Sequence, residues 1–298
     1  MSLFEFLDET TSMAGRLALG IEYAGHRYMG WQRLNHGPSV QEAVETALSK
    51  IAAAPVTVMC SGRTDSGVHA TRQIAHFDAP SPRSEKAWMM GANALLPRDI
   101  TIHWVRPMPE DFHARFCALG RRYRYVIYNR ASPPALEHER VTWHRTPLDH
   151  ARMHEAAQAL LGEHDFSAFR ASSCQSITPW RFLHHVNVER HGPLVVMDIQ
   201  GNAFLHHMVR NIAGVLIAIG EGSQPVGWAK RLLDGRDRTL GGVTAPADGL
   251  YFVDSCYDPR YDLPSEPLGP SFLWHTGEWS GERAVPVNAI TQQRLERS

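Results

Sequence analysis

Residues 39–60, SVQEAVETALSKIAAAPVTVMC, show the clearest change of periodicity in the chain, from a helix to a strand. Ser39 and Glu42 form a capping box, and apolar residues recur at helical spacing as far as Ile51. Pro55 prevents the helix from continuing, and the apolar run that follows it predicts a buried strand. This stretch therefore predicts a helix that returns the chain to a sheet.

The flanking segments extend this pattern to β-α-β-β-α-β. Residues 16–23 alternate apolar and polar side chains and predict the first strand. A glycine-rich loop comes after the second strand. The remaining elements are a third strand, a helix that begins at Ser84 and a fourth strand, predicted at 73–78, 84–96 and 100–106.

The same order returns in the second half of the chain. The predicted elements are a strand at 121–129, a helix at 149–161, a hairpin at 183–200, helices at 206–219 and 226–234, and a strand at 249–255. We therefore predict an α+β protein of two tandem ferredoxin-like lobes. Their sheets are expected to join into one mainly antiparallel sheet with helices packed on it, and the active-site cleft is expected between the lobes.

The predicted domain bounds follow from this repeat. Residues 15–110 form the N-terminal lobe, which carries the glycine-rich loop, and residues 111–258 form the C-terminal lobe. Residues 259–298 are rich in Pro, Gly, Ser and Glu, so we expect a mobile or loosely docked tail.

The composition excludes several classes of protein. Hydrophobic residues make up 43% of the chain and charged residues 20%, with a formal net charge of −1, so no overall basic charge indicates nucleic acid. No apolar stretch approaches the roughly 20 residues of a membrane-spanning helix. The N-terminus carries acids where a secretory signal carries Lys or Arg, and four scattered cysteines are typical of reduced thiols. We expect a cytoplasmic protein.

The distribution of charge says more than its sum. No acid occurs from residue 113 to residue 130, and five arginines and three tyrosines do: Arg115, Arg121, Arg122, Arg124, Arg130, Tyr123, Tyr125 and Tyr128. Arginine neutralises phosphate and tyrosine offers a flat face to a base. The segment is thus either an RNA-binding surface or an ordinary solvated face.

The stretch that carries chemistry is residues 61–70, SGRTDSGVHA. Two glycines bracket Asp65 in a loop that leaves a strand, so the backbone can bend tightly and project the carboxylate into a cleft. Ordinary turn chemistry, in which an aspartate binds its own backbone, explains the same pattern.

Several motifs in order distinguish these alternatives. GRTDSGVHA resembles the catalytic loop of the tRNA pseudouridine synthase A family, usually written GRTDAGVHA. Other segments similar to that family's are FHARF at 112–116, RRYRY at 121–125, GNAFLHHMVRN at 201–211, YAG at 23–25 and GWQ at 30–32. The likeness spans roughly residues 16–257. Ser66 in place of the common alanine and the long tail are the departures.

The resemblance implies a pseudouridine synthase fold and the conversion of uridine to pseudouridine at positions 38, 39 and 40 of the tRNA anticodon arm. It also implies a homodimer that uses no metal or other cofactor. Asp65 aligns with the catalytic aspartate and Tyr123 with the active-site tyrosine. Arg210 aligns with the arginine that pairs with the aspartate, and Arg63 with the arginine that helps to hold the target nucleotide outside the helix.

These residue types suit the chemistry. The isomerisation needs a carboxylate that is shielded from bulk water, and a buried carboxylate stays charged only beside a partner such as an arginine. A tyrosine ring can stack on the uracil while its bond to the sugar is broken, which contributes about 1–3 kcal/mol per base. The target base must also leave its stack, and an arginine two residues from the acid can brace the gap.

Other functions remain as alternatives or are disfavoured. The histidines lack an HxxxH or HExxH spacing, and the glycine-rich loops lack a GK[ST] or GxGxxG pattern, so neither a catalytic metal nor nucleotide hydrolysis is expected. A non-catalytic RNA-binding protein, a carboxylate-dependent nucleoside hydrolase and a family sibling that modifies other RNA uridines stay open.

Overall fold

The structure is a computed structural model that describes residues 12–265, 267–274 and 289–291. It contains two compact units. Of the described residues, 12–118 and 257–265 form the first unit, and 119–256, 267–274 and 289–291 form the second. The division thus falls after Ala118 rather than after residue 110.

The first unit has the strand order of a ferredoxin-like lobe. Its elements are β1 (Ser12–Tyr23), α1 (Val40–Ala52), β2 (Met59–Cys60), β3 (His69–Ser84), α2 (Ala92–Leu95) and β4 (Ile100–Pro107), with a wide helical turn at Ala87–Gly91 before α2. The strands lie in the order β4-β1-β3-β2, and each neighbouring pair is antiparallel. The predicted β-α-β-β-α-β lobe is confirmed.

The second unit repeats this order and adds two short strands. Its elements are β5 (Gly120–Asn129), β6 (Thr142–His144), α3 (His150–Gln158), β7 (Gly162–Asp165), β8 (Trp180–His191), β9 (Leu194–Gly201), α4 (Met208–Gly220), α5 (Trp228–Gly235) and β10 (Leu250–Cys256). The strands lie in the order β10-β5-β9-β8-β7 with antiparallel pairing, and β6 pairs with β5 in parallel. The fold is therefore α+β and mainly antiparallel, as predicted.

Local signals located the helices correctly. The Ser39 hydroxyl accepts a hydrogen bond from the Glu42 N–H at 3.3 Å, and the Asp149 carboxylate accepts one from the Arg152 N–H at 3.1 Å. β3 is longer than the strand predicted at 73–78, because it stays paired with β1 from Ala70 to Ser84. Of the strand predicted directly after Pro55, only Met59–Cys60 is formed.

The chain after β10 supplies buried side chains to both units. Tyr261 packs with Phe112 in the first unit at a ring distance of 5.0 Å. Leu268 and Leu273 are buried in the second unit. Of the predicted tail, residue 266, residues 275–288 and residues 292–298 lie outside the described residues, as do residues 1–11 at the other end.

An ion-pair cluster is buried in the second unit and corrects one prediction. Arg122 binds both oxygens of Asp198 at 2.6 and 2.8 Å, and the Arg124 Nε–H binds the same carboxylate at 2.8 Å. Burial alone would raise the pKa of Asp198, but the two guanidinium groups outweigh it and hold that pKa below its usual range. Arg122 and Arg124 are therefore core residues and not part of an RNA-binding surface.

Tyr125, from the same basic segment, is also a core residue. Its hydroxyl shares a hydrogen bond with the Thr142 hydroxyl at 2.6 Å and donates to the Pro246 carbonyl at 2.9 Å. The ring is fully buried, and burial raises the pKa of the phenol.

None of the helices in the described ranges combines the length and the apolar character needed to cross a bilayer.

Candidate active site

The predicted catalytic loop, residues 61–68, joins β2 to β3 in the first unit. The Val68 N–H donates to the Asp65 carbonyl at 3.2 Å, which closes a four-residue turn that begins at Asp65. Gly67, the third residue of that turn, has a φ of +81°, as a type II turn requires. Asp65 is half-buried and Arg63 is exposed. The turn is therefore closed through the backbone carbonyl of Asp65.

Two residues from the upstream motifs support the residue before the aspartate. The buried hydroxyls of Tyr23 and Thr64 share a hydrogen bond of 2.8 Å, and the Trp31 N–H donates to the Thr64 carbonyl at 3.1 Å. Burial raises the pKa of Tyr23, so its phenol stays protonated. Thr64 is thus bound through both its side chain and its backbone, which fixes where the following Asp65 lies.

Gln73 of β3 holds the beginning of the loop, a role that the sequence analysis did not identify. Its side-chain carbonyl accepts a hydrogen bond from the Ser61 hydroxyl at 2.8 Å, and its NH₂ group donates to the Gly62 carbonyl at 2.6 Å. The side chain is completely buried. An amide within the apolar run QIAHF was the available signal, because a buried amide needs partners for both of its ends.

The end of the loop is held by the segment before α1. The Gly67 N–H and the Ser66 hydroxyl both donate to the Tyr28 carbonyl, at 3.2 and 3.3 Å. The Gly25 N–H donates to Nδ1 of the buried His69 at 3.0 Å. The segments 23–25 and 30–32, which resemble those of the family, therefore belong to the support of the catalytic loop.

Tyr123 lies on β5 of the second unit, between two phenylalanine rings. Phe204 and Phe252 each lie 5.1 Å from it in nearly perpendicular arrangements. It is 8% exposed, whereas Tyr125 and Ile127, the next side chains along the same face of the strand, are at most 1% exposed. Tyr123 thus has the packing of a core tyrosine at the accessible end of a buried row.

Arg210 lies in the first turn of α4 in the same unit. Its Nε–H donates to the Ala245 carbonyl at 2.8 Å, and the Ala245 N–H donates to the Arg210 carbonyl at 3.1 Å. This pair of bonds ties α4 to the segment before β10 and sets the direction of the guanidinium group. The structure therefore places Asp65 and Arg63 together on one loop of the first unit, and Tyr123 and Arg210 on β5 and α4 of the second. Their catalytic roles stay predictions.

Comparison with known proteins adds an independent line of argument. The sequence profile of a family described as tRNA pseudouridine synthase matches residues 20–117 and 156–258, which is more than half of the chain. The chain belongs to the tRNA pseudouridine synthase family. The matched ranges include Asp65, Arg63 and Arg210, whereas Tyr123 lies between them.

The chain matches individual members of the tRNA pseudouridine synthase family over almost their whole length. The chain is 57% identical over 258 residues to the tRNA pseudouridine synthase A of Shigella boydii serotype 4, covering 87% of this chain and 96% of that protein. It is 59% identical over 259 residues to the tRNA pseudouridine synthase A of Pseudomonas aeruginosa, covering 87% and 91%. Among solved structures, a chain in a crystal structure of a Cbf5-Nop10-Gar1 complex is 13% identical with a TM-score of 0.31, and the match covers 79% of this chain and 48% of that one.

Gly30 packs closely beneath the catalytic loop, and this contact leads to a first prediction. Gly30 has a φ of +97°, and a Cβ placed on it would lie 2.5 Å from the Thr64 carbonyl oxygen and 3.0 Å from the carbonyl carbon of Asp65. We expect Gly30→Ala to displace the loop and to lower the rate of pseudouridine formation on the order of 100-fold, because small displacements of catalytic groups have effects of that size. The measurement is the single-turnover rate on tRNA.

Gly15→Ala is the matched control for Gly30→Ala. Gly15 also has a positive φ, +73°, but no atom lies within 4 Å of its added Cβ. The control carries the backbone strain of an L-residue without the clash, and we expect its rate to match that of the unaltered protein. Equal rates in both variants and the unaltered protein would show that the Gly30 contact does not position the loop.

Proposed function

We propose that this protein isomerises uridine to pseudouridine at positions 38, 39 and 40 of the tRNA anticodon stem-loop, with Asp65 as the catalytic carboxylate. The observation that carries the proposal is the Asp65 loop, whose backbone is fixed at both ends in a chain 57% identical to a tRNA pseudouridine synthase A. Val68 closes the turn on the backbone carbonyl of Asp65, so the closing bond of the turn does not use the carboxylate.

The reaction determines what Asp65 has to do. The bond between N1 of the uracil and C1′ of the ribose breaks, the detached base turns, and C5 bonds to C1′. C5 loses its proton and N1 gains one, so no atoms or electrons are exchanged with a cofactor. Asp65 assists by attacking the sugar or the base, or by removing a sugar proton, and each of these needs an ionised carboxylate out of bulk water.

The other site residues have supporting roles in the proposal. Tyr123 stacks on the uracil during its turn, and the perpendicular rings of Phe204 and Phe252 support this role because they hold the tyrosine ring in one orientation. Arg63 is exposed, as a residue that braces an opened RNA stack has to be. The ion pair of Asp65 with Arg210 stays a prediction of the family resemblance.

A homodimer and a cytoplasmic location complete the proposal. The homodimer comes from the family resemblance and would let one subunit bind the body of the tRNA while the other modifies it. None of the four cysteines, all of which lie in the described residues, forms a disulfide, which supports a reducing compartment.

Release of tritium from tRNA labelled at C5 of its uridines tests the proposed function. We expect the purified protein to release label without added cofactor, and mapping of the product to find pseudouridine at positions 38, 39 and 40. Modification confined to other uridines would favour a family sibling with another target. Accumulation of free uracil would favour a nucleoside hydrolase, and binding without release of label would favour a non-catalytic RNA-binding protein.

A further inference from the structure

Phe116, in the first unit, is an aromatic residue that the structure leaves in solvent. Its exposed fraction of 66% is larger than that of any other Phe or Trp in the described residues. Exposing a benzene ring to water forgoes about 1.5–3 kcal/mol of burial free energy, so such a ring is a candidate contact. Phe116 lies on the loop between β4 and β5, outside the catalytic loop.

The backbone of this loop is bound tightly to His113. Nδ1 of His113 accepts hydrogen bonds from the N–H groups of Arg115 and Phe116, at 3.2 and 3.3 Å. The Cys117 N–H donates to the His113 carbonyl at 2.9 Å, which closes the turn. Phe116 is therefore held in place before any ligand binds, so little conformational entropy is lost on contact.

A row of rings connects Phe116 to the core. The ring centres of Phe116 and His113 lie 4.3 Å apart at 33°, and those of His113 and His76 lie 4.6 Å apart, edge to face. Nδ1 of the buried His76 accepts a hydrogen bond from the Ala114 N–H at 3.2 Å. Burial lowers the pKa of His76 to about 4 and also lowers that of His113, so both rings are neutral at pH 7 and can accept these bonds. One face of Phe116 is packed against this row.

The surroundings of Phe116 favour an anionic partner. The Arg115 guanidinium lies 5.6 Å from the centre of the Phe116 ring and is exposed. Within the basic segment, Arg122 and Arg124 are buried in ion pairs, whereas Arg115 and Arg130 are exposed.

We propose that Phe116 and Arg115 form a docking platform for tRNA, in which Phe116 stacks on an unpaired base and Arg115 neutralises an adjacent phosphate. The proposal rests on the proposed function and adds a substrate contact outside the catalytic loop. A flat ring beside a cation matches the two parts of a nucleotide, since stacking is indifferent to the base and the charge meets the backbone.

Affinity for unmodified tRNA, measured in the Asp65→Asn background so that no turnover occurs, tests the platform. We expect Phe116→Ala to weaken binding by about 5- to 150-fold, the range that corresponds to one stacked base. Phe116→Trp is expected to retain the affinity and Phe116→Leu to lose it, because leucine is apolar but has no π face. Arg115→Ala is expected to reduce the salt dependence of binding by about one phosphate contact.

Met90→Ala is the matched control, since Met90 is an exposed apolar residue of the same unit with 51% exposure, and its affinity is expected to be unchanged. Equal affinities of Phe116→Ala and its parent would overturn the platform, as would a Phe116→Ala variant that binds tRNA normally but dissociates a dimer in sedimentation. If the protein with Asp65 intact forms pseudouridine but Phe116→Ala binds tRNA normally, the result refutes the platform and leaves the proposed function standing. If the protein with Asp65 intact forms no pseudouridine, the result refutes the proposed function itself.

Discussion

Replacing Asp65 with asparagine is expected to lower the rate of pseudouridine formation at least about a thousandfold, because removal of an essential catalytic group has effects of this order or more. Asparagine has nearly the same volume as aspartate but carries no charge. The turn that begins at residue 65 uses its backbone carbonyl, which Val68 binds at 3.2 Å, so the loop should keep its shape. The measurement is tritium release from C5-labelled tRNA under single-turnover conditions, together with tRNA affinity, which we expect to change little.

Ser66→Ala is the control for the Asp65 variant. Ser66 is exposed, and its hydroxyl donates to the Tyr28 carbonyl, which the Gly67 N–H also binds at 3.2 Å. Losing one of two bonds to the same acceptor at the surface should change the rate by no more than about twofold. An Asp65→Asn protein that releases label as fast as the Ser66→Ala protein would refute the catalytic assignment.

Replacing Asp198 with asparagine is expected to reduce the free energy of unfolding of the second unit by about 3–5 kcal/mol, the cost of breaking a buried ion pair. Asp198 is 1% exposed and pairs with both Arg122 and Arg124, so its replacement removes the carboxylate that both buried guanidinium groups bind. An amide can accept hydrogen bonds from one guanidinium, but it supplies no negative charge. Urea unfolding at pH 7, followed by circular dichroism, measures the loss.

Asp234→Asn is the matched control within the same unit. Asp234 pairs with Lys230 on the surface, where the two side chains are 61% and 51% exposed, and such pairs contribute about 0–1 kcal/mol. We expect little change in the free energy of unfolding. A loss for Asp198→Asn no larger than that for Asp234→Asn would show that the buried cluster adds nothing to stability.

The acid dependence of stability should distinguish the same variants. The folded-state pKa of Asp198 lies below its ordinary value of 3.8, so the unfolded chain binds this proton more readily. The stabilisation by Asp198 is therefore complete above about pH 4 and is lost as the pH falls through the lowered pKa. Asp198→Asn should lack this part of the acid dependence.

Local signals in the sequence were sufficient for the order of the main elements and for the loop that carries Asp65. Ser39, Ser84 and Asp149 each precede a helical run, and their side chains cap the first turn in the structure. Such signals work because a cap and its partner are three residues apart, so no distant segment is needed to interpret them. The short strands β6 and β7 gave no such signal, since three or four residues are too few to show a period.

Burial and pairing over long distances along the chain were decided only by the tertiary structure. Arg122 and Arg115 belong to one basic segment, yet Arg122 is buried against Asp198, 76 residues away, and Arg115 faces solvent. Gln73 and Tyr23 are also ordinary strand residues until the fold places them under the catalytic loop. A charge or an amide has the same letter in a core and on a surface, and its energy depends on the partners that distant segments bring to it. The sequence therefore identified the family of this protein, and the packing determined which of its charged and aromatic residues are buried and which of them solvent reaches.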